Sequence, residues 1–220
     1  MRERPILFNG AMVRAILAGQ KTQTRQALKM PHGYWETSAD GLVPIPAGCP
    51  FVQPGDRLWV RETTHVDRTT SDSAELARYS ADQKPVCYPT GTGNGYDGAW
   101  QLWWYTRDTC PNIHMPRSAC RLLLEITDVR VERLQAISEA DAQAEGARHF
   151  PQLPMGMVSA DPCRWSMEEP QNTDACLSTA RFAFANYFCK TYGKAPKGLH
   201  DQRPWDANPW VWVITFQRLP

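Results

Sequence analysis

The chain has 220 residues, 42% of them apolar, which is enough to bury a full core without disulfides or metals, and one domain carrying insertions is the expectation. Its 24 basic and 23 acidic residues leave a formal charge of +1, which excludes a global field able to hold a long nucleic acid by counterion release. Seven scattered cysteines, an odd number without a Cys-x-x-Cys pair, argue against both a secreted disulfide framework and a zinc ribbon.

Pro5 to Phe8 reads as a short buried strand, and Asn9 then offers an N-cap to a helix from about Gly10 to Ala18, in which Met12, Val13, Ile16 and Leu17 share helical spacing. Gly19 supplies the left-handed residue that closes such a helix, so Lys21, Thr22, Thr24 and Arg25 follow directly on its end. Lys21 and Thr24 point to opposite faces in a regular strand but lie side by side in one tight turn. Only the turn lets them react together. Residues 30–53, rich in Pro and Gly, form an expected insertion, and Pro54-Gly55-Asp56 turns into a strand over 57–63 with Leu58 and Val60 on one face. A second insertion spans about 66–100 and ends in Thr90 to Gly95, glycine-rich but without the Gly-Lys-Ser/Thr ending of a phosphate loop. Leu102 to Tyr105 reads as a strand. Cys110, His114 and Cys120 match no standard zinc spacing, and Pro111 and Pro116 interrupt them, so no metal is expected. Arg121 to Val131 is a longer strand, Ser138-Glu139-Ala140-Asp141 opens a helix ended by Gly146, and 150–172 is a third insertion. Asn172 to Asp174 offer N-caps for an amphipathic helix carrying Leu177, Ala180, Phe184 and Phe188, which Gly193 ends, and Trp210 to Phe216 forms the last strand. The expected class is α+β: a small, mixed, mostly antiparallel β-barrel with flanking helices.

Four segments give the chain a family resemblance. They are Arg4-Pro5-Ile6-Leu7-Phe8 with Ile16 to Arg25, then Pro54 to Glu62, then Ile113 to Arg117 running into Leu124 to Val129, and finally Trp205 to Val213. In these the chain resembles ASCH-domain proteins of the PUA-like superfamily, in the longer form found in phages and prophages. The resemblance implies a single PUA-like domain over residues 1–220. Compact members remove the acyl group from N4-acetylcytidine with a lysine, a threonine and a glutamate. It thus implies a cofactor- and metal-independent amidohydrolase with catalytic Lys21, Thr24 and Glu125, acting on a small modified nucleoside.

Elementary chemistry bears on those roles. A threonine hydroxyl needs a base within about 3 Å, and a neutral amine can serve. At the ordinary lysine value only about 0.1% is neutral at pH 7.5, so burial or a cation such as Arg25 must depress it. Glu125 suits a role toward the substrate, delivering a proton to the leaving nitrogen or holding the amino group of the base. Arg25, Arg61, His114 and Arg117 are candidate substrate contacts, and Trp205 is the candidate stacking platform. The alternatives are a non-catalytic RNA or modified-nucleoside binding module and a ribonuclease, the near-neutral charge disfavouring extended RNA. No stretch approaches the roughly 20 apolar residues of a membrane span, and no apolar run follows Met1 to Pro5, so a cytoplasmic protein is expected.

Overall fold

The computed structural model describes residues 1–28, 35–38, 41–44, 49, 53–88, 99–150, 164–171, 175–193 and 203–220. Its strands are β1 (Glu3–Leu7), β2 (Gln23–Ala27), β3 (Trp35–Ser38), β4 (Gly41–Pro44), β5 (Arg57–Arg61), β6 (Thr64–Asp67), β7 (Leu76–Tyr79), β8 (Thr109–Cys110), β9 (Leu123–Arg133), β10 (Arg148–His149), β11 (Trp165–Ser166) and β12 (Trp210–Arg218). The helices are α1 (Gly10–Leu17), α2 (Glu139–Ala144) and α3 (Ala180–Tyr192), with short 3₁₀ turns at 112–114, 117–119 and 134–136. The chain divides into two compact units: residues 1–18, 56–125 and 218–220, and residues 19–55 and 126–217.

In the first unit β1 runs parallel to β5, and β5 pairs antiparallel with the start of β9. Leu58, Val60 and Leu124 alternate onto the buried face, where Phe8, Val13 and Ile16 are buried too. Asn9 caps α1 as expected, its side chain accepting from the Met12 amide at 3.1 Å. A second sheet, in the order β7-β6-β8, occupies part of the stretch expected to be an insertion. Its polar sequence hid it, because β6 buries Thr64 and Asp67 while His65 and Val66 stay partly exposed. Leu102 to Tyr105 is not a regular strand: Leu102 makes an isolated bridge to Leu76, while Trp103 and Trp104 pack on a cluster of Ala77, Tyr79, Val86, Met115 and Ala119. Packing on that cluster outweighs the aromatic strand propensity.

In the second unit the strand order is β9-β12-β2, with β12 antiparallel to β2. Val211, Trp212, Val213 and Ile214 are consecutive and all buried, the mark of a strand covered on both faces. The expected insertion at 30–53 contains the hairpin β3–β4, and β11 lies within the one at 150–172. Thr179 caps α3, its side chain accepting from the Phe182 amide at 3.1 Å. Leu177 therefore lies outside the helix, its backbone paired with Trp165. The Thr90 to Gly95 run, the proposed caps Asn172 to Asp174 and most of the third insertion lie outside the described residues. The architecture is α+β with mostly antiparallel sheets, and among the described residues the strands form open ladders rather than a closed barrel.

Candidate functional site

Gly19, at φ +73°, lets the chain turn sharply before Lys21. The Thr22 amide then donates to the Ala144 carbonyl at 2.8 Å, tying this segment to the last turn of α2. Glu145, the C-cap of α2, is 3% exposed, and its carboxylate meets two cations at once. Lys21 Nζ donates to Glu145 Oε2 at 2.7 Å, to the Glu145 carbonyl at 3.0 Å and to the Gln23 carbonyl at 2.7 Å. Arg25 Nη1 donates to Glu145 Oε1 at 3.0 Å, while its Nε and Nη2 donate to Glu132 Oε1 at 2.9 and 2.6 Å. Arg130 completes the cluster through Asp141 at 3.0 Å and Glu132 at 3.5 Å, and Arg25 stands 3.5 Å from Asp141. The cluster thus sets three cations against three carboxylates. That balance is what makes burial of Lys21 and Arg25 tolerable, since an unpaired charge there costs several kcal/mol.

Burial pushes the Lys21 amine below its ordinary value, with Glu145 pulling it up and Arg25 pushing it further down. Asp141 is lowered as well, for a different reason: burial raises it, but the Ser138 hydroxyl, Arg130 and Arg25 together hold it below the ordinary carboxylate range. The arrangement places an amine held below its ordinary value 2.7 Å from the Glu145 carboxylate. Thr24 lies on β2 in register with Ile214 and is 3% exposed. Strand alternation sends its side chain to the face opposite Arg25, so the tight turn expected to set Lys21 beside Thr24 gives way to extended backbone from Gln23 onward. The outer edge of β2 is occupied as well. Lys21 holds the Gln23 carbonyl and the Tyr192 hydroxyl donates to the Arg25 carbonyl at 3.1 Å, satisfying two acceptors that β12 does not reach.

Trp205 is partly buried: its ring meets Phe184 edge-on at 6.5 Å, and the Arg181 guanidinium lies 5.6 Å from its centroid. Glu125, in the first unit, is half-buried on β9 in register with Arg57. That unit gathers two of the candidates around Trp59. Arg61 donates to the carbonyls of Ile113 and Met115, Arg117 pairs with Glu3 at 2.6 Å, and both guanidiniums lie within 6 Å of the Trp59 ring, at 5.3 and 5.8 Å. His114 stacks on Tyr105 with centroids 5.7 Å apart. Cys110 and Cys120 donate to the carbonyls of Pro111 and Leu122. Sequence reasoning did not single out Glu132, Asp141 or Glu145. The available signal was the four-residue spacing of Asp141 and Glu145, which sets both acids on one side of α2 just before the Gly146 stop.

No protein-family model matches the chain, and no curated protein matches it. Among solved structures the chain is similar to the ASCH domain from Lactobacillus crispatus JV V101, over 99% of this chain and 79% of that one, with 14% identity and a TM-score of 0.37. A likeness of that degree carries no argument about activity.

Proposed function

We propose that the protein is a hydrolase that cleaves the amide of N4-acylated cytosine nucleosides, with Lys21 as base, Glu145 as the acidic partner and a water as nucleophile, because Thr24 lies on the face of β2 opposite Arg25. The observation that supports this best is the buried Lys21–Glu145 pair, 2.7 Å between Nζ and Oε2, standing in the Lys-Thr-x-Thr segment where the family resemblance implies the chemistry. The resemblance implied Glu125 for the acid. Glu145 takes that role in the proposal because it is the carboxylate hydrogen-bonded to the lysine. In the reaction, Lys21 gives its proton to Glu145, and the neutral amine then takes a proton from a water as the water oxygen attacks the acyl carbon. The C–N bond breaks as Lys21 passes that proton to the leaving nitrogen, which releases the cytosine nucleoside and the carboxylic acid and returns Lys21 to its neutral form.

A second reading is favoured by the burial itself. Lys21 is 2% exposed, and its three donors already have acceptors, as in a cluster that serves only to hold the edge of β2 within a non-catalytic binding module. Incubating the purified protein with a panel of N4-acylcytidines, read by ultraviolet absorbance or mass, separates the two. The hydrolase reading expects cytidine and the free acid, at a rate unchanged by strong chelators. A folded protein that converts none of the panel would leave the binding module standing.

A further inference from the structure

The second unit holds a cavity of about 300 Å³ that neither the buried charge cluster nor the proposed reaction uses. Its size is at the lower end for small-molecule sites, enough for one nucleobase or nucleoside. It opens on the face of α3 that carries Ala183, Asn186, Tyr187 and Lys190, residues spaced as one helical stripe. Phe184, Phe188 and Tyr192, the stripe whose members meet Arg25, lie about 150° round the helix. The cavity is therefore separate from the Lys21 cluster.

Its walls define what it can hold. Trp165 contributes an indole and Tyr187 a buried ring, while Met167 and Leu177 supply apolar surface. Glu168 is engaged by Lys190 through Oε2, and Glu169 by Arg148 at 2.8 Å through Oε2, which leaves the Oε1 atoms as acceptors. Asn186, exposed on the helix, adds an amide that both donates and accepts. With Arg148 paired to Glu169 and Lys190 to Glu168, two carboxylates meet two cations that are already engaged, so the cavity favours an uncharged ligand over a phosphate. A flat ring meets the aromatic walls, and its amino groups meet the carboxylates.

We infer that this cavity is a binding site for an uncharged, amino-bearing planar heterocycle of nucleoside size, and that it discriminates against the phosphorylated form. The site does not depend on catalysis at Lys21. The test is a titration of the intact protein with cytidine, adenosine and cytidine 5′-monophosphate, followed by tryptophan fluorescence and calorimetry, with the variants Asn186→Ala, Glu169→Gln and Lys21→Met. The expected result is saturable binding of at least one nucleoside, at least about tenfold weaker binding of the monophosphate, and a several-fold loss in Asn186→Ala and in Glu169→Gln. Lys21→Met should bind as the wild type does. Circular dichroism of each variant shows that it is folded, and Asn186, being exposed, keeps the test independent of stability. Failure of both nucleosides to bind, equal binding of the monophosphate, or binding lost in Lys21→Met but kept in both cavity variants would each overturn the inference. Hydrolysis of N4-acetylcytidine tests the catalytic reading separately, because the cavity variants leave that cluster untouched.

Discussion

Lys21 meets two carbonyls and a carboxylate at once, and this settles what a substitution there does. Lys21→Met removes three hydrogen bonds and leaves Glu145 with Arg25 alone, so a loss of about 2–4 kcal/mol in unfolding free energy is expected, measured by urea denaturation. Lys21→Arg should abolish hydrolysis as thoroughly as Lys21→Ala, since a guanidinium keeps its proton at any working pH. The pH dependence has a fixed sign. Burial lowers the Lys21 value in the folded chain, so between that value and about 10.5 the unfolded chain binds more protons. Stability from this group therefore rises with pH across the window, and the hydrolysis rate rises with it as neutral amine accumulates. A rate flat from pH 6 to 9 would contradict lysine as the base.

Elements with a cap and a stop were legible in the sequence: Asn9 and Gly19 bound α1, Ser138 and Gly146 bound α2, and Gly193 ends α3, each through its own side chain or a positive φ. The β6–β7 sheet was not legible, because what β6 buries is polar. Asp67 accepts from the Thr69 amide and hydroxyl at 2.7 and 2.7 Å and from Thr70 at 3.2 and 2.8 Å, so a buried acid takes the place of an apolar side chain. Burial alone would raise its carboxyl, but the Thr69 and Thr70 bonds and Arg78 hold it far below the usual carboxylate range. A depressed carboxylate stabilises fully above its unfolded value and loses that contribution as pH falls through the folded one. Asp67→Asn should cost about 1.5–3 kcal/mol at pH 7 and lose less stability than the wild type on acidification below pH 4, followed by thermal melting. Ser138→Ala removes the cap of α2 and one of the bonds that hold Asp141, and about 1 kcal/mol of stability should go with it in the same melts.

At the scale of the whole molecule, the candidate site was half legible. The Lys21 segment announced itself through a stopped helix followed by clustered donors. Its carboxylate partners did not, because Glu132 and Glu145 stand more than 100 positions along the chain, and nothing local in sequence pairs them with Lys21 or Arg25. Folding of the second unit brings them together, with α2 delivering Glu145 and β9 delivering Glu132 to the face of β2 that carries Arg25. The central claim is that this pairing drives amide hydrolysis. The measurement that tests it most directly is the turnover of N4-acetylcytidine by wild type, Glu145→Gln and Glu125→Gln, each shown to be folded by circular dichroism. The account predicts cytidine and acetate from the wild type, a loss of about 10²-fold or more in Glu145→Gln, and a much smaller loss in Glu125→Gln. Undiminished turnover in a folded Glu145→Gln, or no turnover in the wild type, would contradict it.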